Sequence, residues 1–163
     1  FIEYLRHHKR EEQSCEDINA LLGEVVQSEL KHQRVITFKP NPNIGKIPIS
    51  SVAIKRVVTN MIENALRYSE GDIEVLSYFN SNKKYVVIAV NDSGPGIPES
   101  ELESVFEPFK QGDAARGSEG SGLGLAIIKR IIDMHGGKVV LSNRPEGGLS
   151  AQIYLPIKVT NPS

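Results

Sequence analysis

Apolar positions along the chain follow helical and extended rhythms in turn. After a polar stretch from Glu11 to Asp17, residues Ile18, Leu21, Leu22, Val25, Val26 and Leu30 repeat with the three- and four-residue spacing of a helix face. With Asp17 as a cap, they predict an amphipathic helix from Asp17 to His32. Val35 to Phe38 alternates briefly and then meets Pro40 and Pro42, which predicts a short strand leaving into a loop. One broad stripe, formed by Ile54, Val57, Val58, Met61, Ile62, Ala65 and Leu66, predicts a second and stronger helix from Ser51 to Tyr68. The β-rich runs Ile73 to Phe79 and Tyr85 to Val90, separated by Asn80, Ser81 and Asn82, read as two antiparallel strands joined by a short turn. From Asn91 to Ser121 the pattern dissolves into Gly, Pro, Ser and scattered charge, with a short helical candidate near Glu99 to Phe106. Weakly patterned stretches of about thirty residues are uncommon inside compact domains and are often functional lids. Leu123 to Met134 is helical again, with Ile127, Ile128, Ile131 and Ile132 expected inward, and Gly136 and Gly137 suit a left-handed cap. Val139 to Ser142 and Ala151 to Leu155 close the chain as strands joined by a Gly147-Gly148 turn.

Hairpins interleaved with helices, without strict βαβ order, predict a two-layer α+β sandwich: a mixed sheet with its helices on one face. The 163 residues, 24% of them charged and 39% hydrophobic, have the composition of one ordinary globular domain. A chain of this size removes roughly 70% of its unfolded surface from water, so one core can form without disulfides or structural metal. Nineteen Lys and Arg against 20 Asp and Glu, with no basic run, argue against a protein that lives on nucleic-acid phosphates. Cys15 is the only cysteine, which rules out an intramolecular disulfide and a thiolate cluster and fits a reducing cytoplasm. No apolar run approaches the roughly 18 residues of a membrane span, and no signal-peptide pattern opens the chain. Phe1-Ile2-Glu3 begins it without an initiator Met, so a piece of a longer protein is expected.

Three segments carry candidate chemistry. On the second helix, a rotation of about 100° per residue brings Arg56, Asn60, Asn64 and Arg67 within about 80° of one another, opposite the apolar stripe. A solvated face is the plain reading of this ridge. Asparagine is, however, a mediocre helix former, and here it occurs twice, one turn apart, in mid-helix. An Asn64 amide oxygen is a good hard ligand for magnesium, and Arg67 could approach a phosphate. Asn91-Asp92-Ser93-Gly94-Pro95-Gly96 follows an apolar strand; it reads either as a turn or as a site where Asp92 accepts a hydrogen bond from an exocyclic amine while the glycines admit a flat base. Gly117 to Leu125 opens the third helix with clustered glycines, either a flexible hinge or exposed N–H groups suited to phosphates. It is not a Walker A loop, because no Gly-Lys-Ser/Thr follows, and no strand precedes it as a dinucleotide fingerprint requires.

In this order and spacing the segments resemble the sensor histidine kinases. Asn60 to Tyr68 is similar to their N box, Asp92 to Gly96 to the G1 box, Phe106-Glu107-Pro108-Phe109 to the F box and Gly120 to Leu125 to the G2 box, so the resemblance spans roughly Ile18 to Pro156. Phe1 to Arg6, Phe109 to Asp113, Gly147 to Ser150 and Leu155-Pro156 resemble the osmosensor kinases in particular. The resemblance implies the Bergerat ATP-binding fold of the GHKL type, an α/β sandwich with a mostly antiparallel mixed sheet and a mobile lid over Ile97 to Glu119. It implies ATP and Mg²⁺ as cofactors, with Asn64 on the metal, Asn60 supporting it from one turn away and Arg67 near the phosphates. Tyr68 would line the pocket; Asp92 would take the adenine amino group, over a floor shaped by Gly94 and Gly96 next to Ile97. Gly120, Ser121, Gly122, Leu123, Gly124 and Leu125 would bracket the phosphates. Ser150 stands where relatives often have a Thr that contacts the base through water, Phe106 and Phe109 would anchor the lid, and Arg116 would reach the γ-phosphate.

Hydrolytic relatives carry a Glu at the place of Asn60, where it serves as general base. An amide cannot take a proton, which favours handing the γ-phosphoryl to an external nucleophile, with alignment and charge neutralisation supplying the catalysis. Glu63 lies off the ridge and is not assigned as the base. None of His7, His8, His32 and His135 has the family's acceptor pattern, so each is expected to be a surface or capping residue. Residues 1–10 would be the end of the dimerisation helix and its linker, and residues 11–163 the catalytic ATP-binding domain. The implied partners are the dimerisation and histidine-phosphotransfer domain of the same kinase and an OmpR-like response regulator. The domain itself is expected to be monomeric, without nucleic-acid or membrane contact, on the cytoplasmic side of the inner membrane in a homodimeric parent. Two other readings remain: a nucleotide-binding switch module without catalysis, and a GHKL ATPase.

Overall fold

The computed structural model describes residues 13–29, 35–95 and 123–157. The elements run β1 (Gln13–Asp17), α1 (Ile18–Glu29), β2 (Ile36–Lys39), β3 (Lys46–Ser50), α2 (Ser51–Tyr68), β4 (Ile73–Phe79), β5 (Tyr85–Asn91), α3 (Leu123–Met134), β6 (Lys138–Asn143) and β7 (Leu149–Pro156). The main sheet has the order β2-β4-β5-β7-β6. Among the described residues only the β2–β4 pair is parallel, so the sheet is mixed and mostly antiparallel, as the hairpin pattern predicts.

Side-chain alternation decides which face of the sheet is covered. Ile73 and Val75 of β4, Val86, Ile88 and Val90 of β5, and Ile153 and Leu155 of β7 join one core with the apolar stripes of α1, α2 and α3. Ile54, Val57, Val58 and Ile62 are each 0% exposed. At about 1.5–3 kcal/mol for each fully buried side chain, this stripe holds α2 on the sheet. On α3, Ile128 and Ile132 are buried, whereas Ile127 and Ile131 are half-buried and only Ile131 packs on the core, a narrower inward face than expected. All three helices therefore lie on one face.

Two strands depart from the sequence reading. Gln13 to Asp17 belongs to the segment expected to be merely polar, and Lys46 to Ser50 to the expected loop; the two pair antiparallel as a separate two-stranded sheet. Ile47 and Ile49 alternate inward with a proline between them. Pro48 weakens the strand signal, but a two-stranded ribbon has only edges and tolerates a residue without an N–H. The helix starts agree better. The Asp17 Oδ1 accepts the Ala20 N–H (3.1 Å) at α1, and the Ser50 Oγ accepts the Ala53 N–H (3.3 Å) at α2. The third helix ends in a Schellman arrangement, with Gly136 N–H to Asp133 O and Gly137 N–H to Ile132 O, both 3.0 Å. Only Gly136 adopts positive φ (77°); Gly137 is needed for space, since a Cβ there would stand 1.8 Å from the Tyr154 carbonyl oxygen. Directly before them, His135 caps as expected and does more. Its Nδ1 meets the Ile131 carbonyl (2.8 Å) and its Nε2 accepts the Ser50 N–H (3.1 Å), which ties the end of α3 to the start of α2.

Candidate functional site

The ridge of α2 stands as the helical spacing predicts. Arg56 and Arg67 are exposed and Asn60 and Asn64 half-buried, opposite the buried stripe. Arg67 Nη1 donates to the Asn64 Oδ1 (3.1 Å), so the Asn64 amide presents its oxygen, not its nitrogen, to a cationic group.

Asp92 follows the last residue of β5 and is 6% exposed. Its N–H donates to the Leu149 carbonyl (2.9 Å), and its Oδ1 accepts the N–H groups of Gly94 (2.9 Å) and Leu149 (3.0 Å). Arg144 Nη1 donates to the Asp92 carbonyl at 2.6 Å. Among the described residues, the Oδ2 of Asp92 makes no hydrogen bond. A buried carboxylate with one oxygen fixed by two backbone donors and the other open is an acceptor oriented for an outside amine. The β6–β7 turn closes around it. Arg144 N–H bonds to the Gly148 carbonyl (2.8 Å) and Gly147 N–H to the Arg144 carbonyl (3.0 Å). Gly148 has φ 97°, and a Cβ there would lie 2.0 Å from the Asp92 carbonyl oxygen, so any side chain would displace the backbone beside the carboxylate.

The end of α2 reaches the same turn. Ser69, 4% exposed, lies directly beyond the helix. Its Oγ accepts the N–H groups of Gly71 (3.2 Å) and Ser93 (3.4 Å) and lies 3.4 Å from the Ser93 Oγ. This bridge brings the helix end carrying Asn64 and Arg67 to the Asp92 turn. Behind Asp92, on the sheet face away from the helices, Glu74 accepts from Lys39 (2.7 Å) and from the Asn91 amide (3.1 Å). The Lys39 bond, and after it the Asn91 bond, hold the Glu74 carboxyl below its usual value against a smaller opposing effect of burial.

Of the residues singled out from sequence, Asn60, Asn64 and Arg67 share the ridge of α2, and Asp92 and Gly94 form the strand-end turn; Ser69 links the end of the helix to that turn. Leu125, half-buried at the start of α3, packs with Leu141, Leu149 and Ala151. Ser150 is a correction. The inward residues of β7 are Ala151, Ile153 and Leu155, so strict alternation turns Ser150 to the opposite face, where its Oγ accepts from Gln152 (3.1 Å). Leu149 is the β7 residue bonded to Asp92, and counting in twos from Ile153 would have found it. Arg144 and Ser69 were also missed, and no periodic signal marks either. Tyr68, Leu123 and Gly124 are described as helix backbone only. Gly96, Ile97, Phe106, Phe109, Arg116, Gly120, Ser121 and Gly122, the helical candidate at 99–106, the lid at 97–119 and the linker at 1–10 lie outside the described residues.

A mixed, mostly antiparallel sheet with its helices on one face matches the histidine kinase catalytic domains of the GHKL type. Residues 49–159 match the family described as histidine kinase-, DNA gyrase B-, and HSP90-like ATPase, and the chain belongs to that family. It is similar to the sensor histidine kinase GtrS of Pseudomonas aeruginosa, 39% identical over 143 residues that cover 86% of this chain and 28% of that protein. The sensor histidine kinase component HK1 of Mycobacterium tuberculosis is 34% identical over 139 residues, 85% of this chain and 81% of that protein. The solution structure of the histidine kinase domain of the Escherichia coli osmosensor EnvZ superposes with a TM-score of 0.70 at 39% identity, covering 92% of each chain. The chain is thus the ATPase domain of the sensor-histidine-kinase type, and it spans less than a third of the length of GtrS. No helix among the described residues is long and apolar enough to cross a membrane.

Proposed function

We propose that this domain binds Mg-ATP and hands the γ-phosphoryl to a histidine on a separate dimerisation domain, which then feeds a response regulator. The observation that carries the reading is Asp92, whose Oδ1 is held by two backbone donors while Oδ2 stays open to the adenine amino group. Magnesium fits the donor set. Asn64 offers a single neutral oxygen toward a position where a cation already sits, and Mg²⁺ is commonly held by one or two protein oxygens together with substrate phosphates and water. Asn64 would hold the ion, which would neutralise phosphate charge, and Arg67 would share that compensation. Asn60 holds an amide where hydrolysis needs a base, so water is not activated and the phosphoryl group goes to an imidazole supplied from outside. By the resemblance, Gly94, Gly96 and Ile97 would shape the base pocket with Tyr68, and the glycines from Gly120 to Gly124, with Ser121, Leu123, Leu125 and Arg116, would cover the phosphates. Leu149 replaces Ser150 as the β7 contribution to the pocket.

The parent kinase is read as an EnvZ-like, homodimeric osmosensor at the inner membrane, acting on an OmpR-like regulator. That reading is supported by the segments Phe109 to Asp113 and Gly147 to Ser150. The test is incubation with γ-labelled ATP and Mg²⁺, with and without a separately made dimerisation domain. Acid-labile phosphohistidine on the added domain alone is the expected result. Nucleotide binding without transfer to a matched acceptor would instead identify a switch module, and rapid turnover by the domain alone an ATPase.

A further inference from the structure

Of the side chains in the described residues, only that of Arg144 is bonded to Asp92; every other bond to it comes from backbone. The guanidinium reaches out of the β6–β7 turn, donates to the Asp92 carbonyl through Nη1 and to the Glu146 Oε1 through Nη2 (2.8 Å). Arg144 is only 21% exposed at the side chain, against 66% for Glu146, so the buried work of the group is at the Asp92 carbonyl. That carbonyl is one edge of the 92–93 peptide plane, held at 2.6 Å, and the Ser93 N–H is the other, held more loosely by the Ser69 Oγ at 3.4 Å. The plane in turn sets where the Gly94 N–H meets Oδ1 and therefore where Oδ2 points. Gly148 packs so closely on the same carbonyl oxygen that no other side chain can take over the bond from that side.

We infer that Arg144 is the positioning residue for base selection, acting through Asp92 to discriminate adenine from guanine; this rests on the nucleotide-binding reading above. The physical reason lies in what rejection requires. Adenine offers an amine donor to Oδ2, whereas guanine would place a carbonyl oxygen there, acceptor against acceptor. An open carboxylate that could swing aside would still accept adenine at some cost, but it would no longer exclude guanine. Selectivity therefore depends on the stiffness of the Asp92 peptide more than on the presence of the carboxylate.

The test compares ADP and GDP affinities by calorimetry for the whole chain and for Arg144→Met, Arg144→Gln and Arg144→Lys, with the melting temperature of each. Loss of a hydrogen bond from a charged donor predicts that ADP binding weakens about tenfold in the Met variant while GDP binding is unchanged or tighter, so the ADP-to-GDP ratio falls by about the same factor or more. The Gln variant is expected to fall in the same direction and carries the test if the Met variant does not fold. Lys, which keeps a charged donor at the turn, is expected to recover part of the ratio. Equal factors for the two nucleotides, or no change in either, would overturn the inference, since a merely structural role predicts them. An Asp92→Asn control that left ADP affinity unchanged would overturn the adenine reading itself, and the role of Arg144 with it.

Discussion

At the strand end of the site Asp92 is gripped by four hydrogen bonds, three involving backbone donors and one from Arg144. On the α2 ridge Asn64 meets Arg67 alone among the described residues, and both side chains look outward. In the proposed function the two ends would serve ligands with different demands. A base is recognised by one directional bond, and an acceptor fixed before binding loses little freedom when the base arrives. A hydrated cation and a triphosphate exchange several ligands as they bind, and an amide whose partner is a surface arginine can change partner at low cost. On the proposed function, selectivity would thus be built into the strand end and adaptability into the helix.

Four substitutions break or sharpen that contrast. The largest effect is expected from Asp92→Asn. It preserves the oxygen that accepts from Gly94 and Leu149 but turns the open acceptor into a donor, and ADP affinity should fall about 100-fold, as for a buried charged hydrogen bond turned repulsive. Calorimetric titration with the fold checked by circular dichroism reads this directly. Next comes Gly148→Ala, which combines an unfavourable positive φ with a clash against the Asp92 carbonyl. It should cost about 3 kcal/mol of stability in chemical denaturation. Wild-type stability in this variant would mean that the hairpin does not grip the carboxylate. Asn64→Ala is expected to weaken Mg-ATP about tenfold while leaving metal-free adenosine nearly unaffected. Equal losses for the two ligands would remove Asn64 from the metal.

The smallest effect concerns Glu74, behind the site. Its carboxyl is held below the ordinary value of 4.5, first by the Lys39 hydrogen bond and then by Asn91. A depressed carboxyl contributes stability that is fully present above the ordinary value and is lost as pH falls through the folded-state value. Glu74→Gln should therefore flatten the acid side of the stability curve below about pH 4.5, by less than about 1 kcal/mol for so exposed a pair, with ADP affinity at neutral pH unchanged. A change in ADP affinity would extend the rigid region from Asp92 across the sheet.

Helices α2 and α3 were legible to the residue, because an apolar stripe of period 3.6 and a cap are local properties of sequence. The strand pair β1–β3 was not, because β1 is polar nearly throughout, Pro48 interrupts the short alternation of Ile47 and Ile49 in β3, and each strand is made by the other's hydrogen bonds. The same division runs through the site. The placement of Asn60, Asn64 and Arg67 on one helix ridge and of Asp92 at a strand end could be read from spacing and motif. Leu149 was readable from the alternation of β7 but was passed over for a polar neighbour. Arg144 could not be read, since its partner is a backbone carbonyl 52 residues away.

By itself the sequence determined the rhythm of the elements, the polar ridge and the acidic strand end, all of which depend on residue type and short-range geometry. Only the tertiary structure decided which oxygen of Asp92 is open, which β7 residue stands beside it and which side chain holds its peptide plane. Those properties arise from contacts between segments distant in the chain, whose pairing is set by packing the whole core at once and not by any local preference.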